Sequence, residues 1–154
     1  MIKFENISSV KIVSKPWGYE KWIASGKPNF KYALKEIFIK KGTKTSLQFH
    51  EFKEETVLVT KGTAALHYSD EKVDLAKFKL NKYIGEELEK KIKSLKIKKI
   101  HEGSVFHIKA LFLHRLEALT DLTIIEASTI EVNDVYRLQD DTNRQNGKID
   151  SEHK

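Results

Sequence analysis

The sequence predicts an all-β sandwich or barrel interrupted by one amphipathic helix, on the strength of three features. Short runs rich in Val, Ile, Thr and aromatic residues recur along most of the chain, each closed by a turn signal such as Ser25-Gly26-Lys27-Pro28-Asn29 or Lys61-Gly62. Only over residues 81–95 does the period change, with Ile84, Leu88, Ile92 and Leu95 recurring at helical spacing. A length of 154 residues suits one domain with a sizeable core.

Taken in order, residues 1–14 alternate weakly (Ile2, Phe4, Ile7, Val10, Ile12) and read as an opening strand or arm. Lys15-Pro16-Trp17-Gly18 breaks any helix, because proline fixes φ and glycine frees it. Residues 19–24 and 32–39 are strands, the second ended by Lys40-Lys41-Gly42-Thr43. Leu47-Gln48-Phe49-His50 and the β-branched run Thr56-Val57-Leu58-Val59-Thr60 follow, then an alternating strand over 64–69. The helix carries Glu86–Lys90, Glu87–Lys91 and Glu89–Lys93 pairs in the favourable order. It lies in an insertion spanning about 70–95, and its basic face reads as a solvated one.

Residues 96–100 and 105–108 return to strand, separated by the turn His101-Glu102-Gly103-Ser104. After a loop over 109–113, residues 114–118 and 122–127 read as a hairpin around Leu119-Thr120-Asp121. Apolar periodicity ends at Glu131, and residues 145–154 read as a disordered polar tail.

Composition narrows the function classes. Charged residues at 32% and hydrophobic ones at 40% suit an ordinary globular protein. No apolar run approaches the roughly 20 residues of a membrane span, and no signal-peptide core opens the chain, so a cytoplasmic protein without a membrane partner is expected. Cysteine is absent, which leaves only nitrogen and oxygen donors for any metal. The net charge of +6 is carried by lysine, with arginine only at 115, 137 and 144. Nucleic-acid readers favour arginine for bidentate contacts and stacking, so no nucleic-acid partner is expected.

The chemistry gathers around Gln48. Gln48 and His50 stand two residues apart in an extended run and so face one side. Glu55 opens the next strand and can turn to the same point. An amide oxygen, an imidazole and a carboxylate on one face make half a metal site.

The spacing Gly42, Gln48, His50, Glu55, Gly62 matches the first motif of the cupin superfamily, with Gln in place of its first His, and Gly103 to His114 matches the second motif in length. Within cupins, the chain resembles the C-terminal domain of type II mannose-6-phosphate isomerases, which also carry a mannose-1-phosphate guanylyltransferase domain. Lys15-Pro16-Trp17-Gly18 is similar to their Arg-Pro-Trp-Gly, Ser46-Leu47-Gln48-Phe49-His50 to Ser-Leu-Gln-Met-His, and His114-Arg115-Leu116-Glu117 to His-Arg-Leu-Glu. Asp134-Val135-Tyr136-Arg137-Leu138-Gln139-Asp140-Asp141, with Arg144 beyond, resembles their closing motif. The chain departs from the family around the ligands. Glu51-Phe52-Lys53 stands for His-His-Arg, Thr56-Val57 for His-Trp, and Lys109-Ala110-Leu111-Phe112 for Pro-Ala-Gly-Thr.

The resemblance implies a jelly-roll-like cupin β-barrel over 15–144, preceded by the 1–14 arm and interrupted by the inserted helix. It adds His114 to Gln48, His50 and Glu55 as metal ligands. It also implies a divalent cation, zinc foremost with iron, manganese or nickel as alternatives, and aldose–ketose isomerisation of a sugar phosphate such as mannose 6-phosphate to fructose 6-phosphate. Lys53, Glu54 and Arg137 are the candidate catalytic residues, with Glu51 or a free histidine as other bases and Lys109 and Arg144 as other phosphate clamps. Trp17, Trp22, Phe30 and Phe38 could line a sugar pocket or fill the core. The expected partner is a sugar phosphate or nucleotide sugar, in a homodimer. A non-catalytic sugar- or metabolite-binding cupin and an Fe(II) cupin dioxygenase are the alternatives.

Overall fold

A computed structural model describes residues 1–26 and 28–153. Lys27 of the predicted 25–29 turn and Lys154 of the tail lie outside the described residues. Among the described residues, eleven strands form two antiparallel sheets: β1 (Lys11–Lys15), β2 (Gly18–Ser25), β3 (Ala33–Ile39), β4 (Leu47–Phe49), β5 (Glu55–Lys61), β6 (Thr63–Lys72), β7 (Lys96–His101), β8 (Val105–Ile108), β9 (Phe112–Ala118), β10 (Leu122–Ser128) and β11 (Tyr136–Gln139). One sheet runs β1-β2-β3-β10-β5-β8 and the other β11-β4-β9-β6-β7. The barrel and its inserted helical segment are therefore as expected.

Strand period sorts the side chains. In β3, Ala33, Lys35, Ile37 and Ile39 are buried while the residues between them are less so, and β10 repeats the pattern at Leu122, Ile124, Glu126 and Ser128. Facing residues of the two sheets, among them Ile37, Val57, Leu66, Leu116 and Ile124, form the main core. Pro16-Trp17 makes the tight β1–β2 turn, with Lys15 paired to Gly18. At Gly62 the chain passes from one sheet to the other with φ +89°, and a Cβ there would lie 2.1 Å from the Asp121 carbonyl oxygen. Only glycine suits both constraints.

Two expectations are corrected. Residues 114–118 and 122–127 do not pair as a hairpin: β9 belongs to one sheet and β10 to the other. The chain crosses between the sheets at Leu119-Thr120-Asp121, where the N–H groups of Leu119 and Thr120 donate to Thr63 O, beside the Gly62 crossing. The single helix over 81–95 is instead two, α1 (Leu75–Lys79) and α2 (Gly85–Lys93). Asp74 caps α1 by accepting from Lys77 N at 3.0 Å, and left-handed backbone at Asn81 and Gly85 separates the helices.

The insertion has a packing role. Ile92 and Leu95, with Phe78 of α1, cover the outer face of the β4–β9–β11 sheet against the buried Leu47, Phe49 and Leu113. Phe49 stacks on Tyr136 at 5.2 Å and meets Phe78 edge-on at 5.1 Å. Leu47 and Phe49 thus face the helices, which turns Gln48 inward. The sequence stripe included Ile84, yet that residue is 66% exposed and precedes α2.

Residues 145–153, expected to be disordered, are packed. They end in a short 3₁₀ helix, Asp150–His153, against β1. Polar contacts hold them, which apolar periodicity cannot register. The clasp begins at Asp140, whose carboxylate accepts from Arg144 N (2.7 Å), Arg144 Nε and NH2 (both 3.0 Å) and Thr142 Oγ1 (2.9 Å). Burial works against the Asp140 anion, but these donors and the guanidinium charge outweigh it and lower its pKa from 3.8 to about 2. A depressed carboxylate pKa gives stability that is complete above the unfolded value and lost as pH falls through the folded one. Asp140→Asn is accordingly expected to be less stable than the parent above pH 4, with the gap closing as pH falls from 3.8 towards 2. Urea denaturation of both proteins across that range measures it.

Candidate metal centre

The inward face of the sandwich carries charge. His50 lies just past the end of β4, Glu55 opens β5 and His114 sits in β9, directly opposite Gln48 of β4. All three are buried, and one donor atom from each lies within 4.8 Å of the others. His50 Nε2 is 3.9 Å from Glu55 Oε2, and His114 Nε2 is 3.6 Å from Glu55 Oε1. These separations are near the roughly 3.4 Å edge of a tetrahedron with bonds of about 2.1 Å.

The imidazoles are oriented for ligation. His50 Nδ1 meets the Asp134 carbonyl oxygen at 2.5 Å and His114 Nδ1 meets the Phe112 carbonyl oxygen at 3.0 Å. A carbonyl oxygen only accepts, so both rings carry hydrogen on Nδ1 and turn the Nε2 lone pair inward, as metal-binding histidines do. Five buried side-chain atoms among the described residues lack a hydrogen-bond partner, and three of them are His50 Nε2, His114 Nε2 and Glu55 Oε2. Glu55 Oε2 is nonetheless in an ion pair with Lys53 Nζ at 2.7 Å, so the two imidazole Nε2 atoms are the ones left without a partner. Unpaired buried polar atoms cost free energy, and their convergence here is what a bound cation would relieve.

Electrostatics favours the ligand forms. Burial, then above all the charge of Lys53, pulls the His50 pKa down to about 3, so its ring is neutral. Burial opposes the Glu55 anion, but its neighbours, Lys53 foremost, outweigh it and bring its pKa to about 2. Burial likewise opposes the Lys53 cation, which the Glu126 and Glu55 carboxylates hold charged. Glu126 Oε2 is 3.5 Å from Lys53 Nζ. Burial and the neighbouring Glu55 charge raise the Glu126 pKa despite Lys53 and Lys35. A second buried pair, Glu20 and Lys35, is joined at 3.2 Å, and Glu20 also accepts from Trp22 Nε1 at 2.9 Å.

The triad lines an interior cavity of about 100 Å³ that also reaches Gln48, Lys53, Glu126 and Arg137. The amide oxygen of Gln48 accepts from Ser46 Oγ at 2.5 Å. Lys53 is inside but committed to its two carboxylates. Glu54 is outside, its carboxylate 3.0 Å from exposed Lys109, and Glu51 accepts from the Tyr136 hydroxyl at 3.2 Å. Trp17 and Trp22 line the cavity, whereas Phe38 stacks on Tyr19 and Phe30 packs beside Tyr32.

A family model described as mannose-6-phosphate isomerase C-terminal matches residues 4–96. The chain belongs to this family. The matched part includes Gln48, His50, Lys53 and Glu55, while His114, Glu126 and Arg137 lie beyond it. Curated proteins yield no significant match. Among solved structures, the chain is similar to oxalate decarboxylase from Bacillus subtilis (16% identity, TM-score 0.62, 90% of this chain and 33% of that one) and ectoine synthase from P. lautus (11%, 0.62, 83% and 78%). It is also similar to KdgF from Halomonas sp. (14%, 0.60, 86% and 98%). The chain spans about a third of the length of oxalate decarboxylase and of CapF. At these identities the likeness is one of fold, and the fold is the cupin.

Beyond the family ligands, the sequence reading missed Glu126, Glu20 and Lys35. A signal was present: each stands on the inward register of its strand, where Lys35 shares a face with Ala33, Ile37 and Ile39, and Glu126 with Leu122 and Ile124. Also missed was Asp134, whose carboxylate accepts the backbone N–H groups of Glu51 (3.1 Å), Phe52 (2.7 Å) and Lys53 (3.0 Å) while its carbonyl orients His50. Asp134→Ala frees these three donors. Equilibrium denaturation should show a loss of about 1–3 kcal/mol, and metal titration a roughly tenfold or greater drop in affinity.

Proposed function

We propose that this protein is a metal-dependent sugar-phosphate isomerase of the mannose-6-phosphate isomerase type, interconverting mannose 6-phosphate and fructose 6-phosphate. The observation that carries the reading is the convergence of His50, Glu55 and His114, with both imidazole Nε2 atoms lacking a hydrogen-bond partner among the described residues, in the wall of a cavity that also holds a buried Lys53–Glu126 pair. His50, Glu55 and His114 would hold the divalent cation. Zinc is first by donor set, iron, manganese and nickel follow, and the free lone pair of the Gln48 amide oxygen offers a fourth position. When bound, the cation polarises the substrate carbonyl and stabilises enediolate charge.

The chain's own groups supply the remainder. Glu126 takes the proton from the carbon next to the carbonyl and returns it to the adjacent carbon. Its carboxyl, pushed upward by burial and by Glu55, is suited to both halves of that transfer. Lys53 keeps Glu126 aimed and places an ammonium beside the oxygen that gains charge. Arg137, whose buried Nε–H has no partner, and Arg144 form a cationic end for the phosphate. Glu54, held by Lys109 outside the cavity, has no part in this scheme.

Elemental analysis of purified protein should find one equivalent of divalent metal. A coupled mannose 6-phosphate assay should then detect turnover that His50→Ala abolishes together with the metal. Glu126→Gln should keep the metal and lose about 10²–10⁴-fold in kcat. Full activity in Glu126→Gln would refute its role, and sugar-phosphate binding without turnover would favour a non-catalytic cupin. The two-histidine, one-carboxylate set favours one second reading, an Fe(II) dioxygenase, for which oxygen consumption solely in the iron-loaded protein is the mark.

We propose as well that two copies of the chain pair as a homodimer. Ile2 and Phe4 in the arm are 83% and 89% exposed within one protomer, which suits cover by a second copy. Light scattering should give twice the monomer mass, falling to the monomer mass in Ile2→Ser/Phe4→Ser.

A further inference from the structure

Two cations that line the cavity, Lys15 and Arg144, are already held by an anion, and that anion belongs to the chain. Glu152 Oε1 is 3.0 Å from Lys15 Nζ, and Glu152 Oε2 is 3.4 Å from Arg144 NH1. Side-chain exposure is only 9% for Glu152, 12% for Lys15 and 9% for Arg144, so the ion pair is well removed from solvent. Gly147, Lys148, Ile149 and His153 line the same cavity as the triad. Arg137 pins this segment, donating from NH1 to the carbonyls of Gln145 and Gly147, while its backbone N–H donates to Asn146 Oδ1 at 2.7 Å. The His153 ring meets Trp22 edge-on at 5.2 Å.

With the segment in place, the cavity of about 100 Å³ is smaller than the roughly 300–1,000 Å³ typical of small-molecule sites. The seal is mainly polar, and its closing 3₁₀ helix buries no residue fully. Segments held in this way open at low cost compared with a core strand. A phosphate monoester carries more charge and one more acceptor oxygen than a carboxylate, so it suits a lysine–arginine seat better.

We propose that residues 147–153 are a built-in competitor: Glu152 fills the anion seat made by Lys15 and Arg144 and closes the cavity until the phosphate of a ligand displaces it. The proposal rests on the reading that the cavity takes a phosphorylated ligand, and it adds that the free protein is self-occluded. Arg137 Nε, buried and without a partner among the described residues, is the donor the incoming phosphate gains.

The test is calorimetric titration of the metal-loaded protein with inorganic phosphate and with mannose 6-phosphate. It compares the parent, Glu152→Gln and a truncation after Ile149 that keeps the Arg137 contacts. Phosphate affinity should rise about tenfold in Glu152→Gln and at least as much in the truncation, with mannose 6-phosphate following the same order. Unchanged or weaker phosphate binding in both variants overturns the proposal, as does absence of phosphate binding in all three proteins. Turnover assayed on the same samples separates the two readings. Phosphate binding that responds to Glu152 without isomerisation removes the isomerase and leaves the competitor; isomerisation indifferent to Glu152 does the reverse.

Discussion

The interior of this cupin depends on Lys53. Its ammonium lies 2.7 Å from Glu55 and 3.5 Å from Glu126, and all three residues are buried. Two carboxylates this close in a low-dielectric interior cannot both stay ionised without a cation between them. Breaking a buried ion pair by removing one partner typically costs about 3–5 kcal/mol, because the remaining charge is left uncompensated. Lys53 therefore keeps Glu55 as an anion available for ligation. It also leaves Glu126 as the carboxyl on which a proton is most readily placed. One lysine separates two acids of the same type into different roles.

Each imidazole is positioned from elsewhere in the chain. His50 follows β4, but its tautomer is set by a carbonyl at Asp134, 84 residues later. The same aspartate ties down the three backbone N–H groups after His50 and so places Lys53 as well. The inserted helices act from the other side. By covering Phe49 and Leu113 on the outer sheet face, they leave Gln48 and His114 to the interior, because strand neighbours point in opposite directions. Packing outside the barrel thereby orients chemistry inside it.

These dependencies explain what could be read from the residues alone. Local features were legible: the strand period, the Gly62 turn, the i, i+2 relation of Gln48 and His50 with Glu55 opening the next strand, and the motif spacing that added His114. Features set by sequence-distant contacts were not. The β9–β10 connection looks like a hairpin from its turn residues, yet it changes sheets because each strand has closer partners elsewhere. Glu54 is a candidate base in the sequence, with Glu51 or a free histidine beside it, but adjacent residues of an extended chain face opposite ways, and Glu55 takes the inward position. The tail looked disordered because its order comes from Arg137, Arg144 and Lys15, whose nearness to it only the folded chain creates.

Charge balance ties the metal centre to the cationic mouth. Around the site the buried carboxyl and ammonium groups of Glu20, Glu55, Lys35 and Lys53 are matched two against two, and burial with the neighbouring Glu55 charge pushes the Glu126 pKa upward. A divalent cation on the triad would add two positive charges to a neutral, poorly solvated volume, and such a volume favours whatever returns the balance. An ionised Glu126 would offset one of them and serve as the base of the proposed reaction. The other must come from a ligand that carries or develops negative charge, as an enediolate does. At the mouth, Lys15, Arg137 and Arg144 make the same demand, met in the free protein by Glu152 and Asp140. A phosphorylated sugar, the ligand class proposed, would supply anions to both ends. A neutral sugar of the same shape could answer only the inner one and would leave Glu152 in its seat.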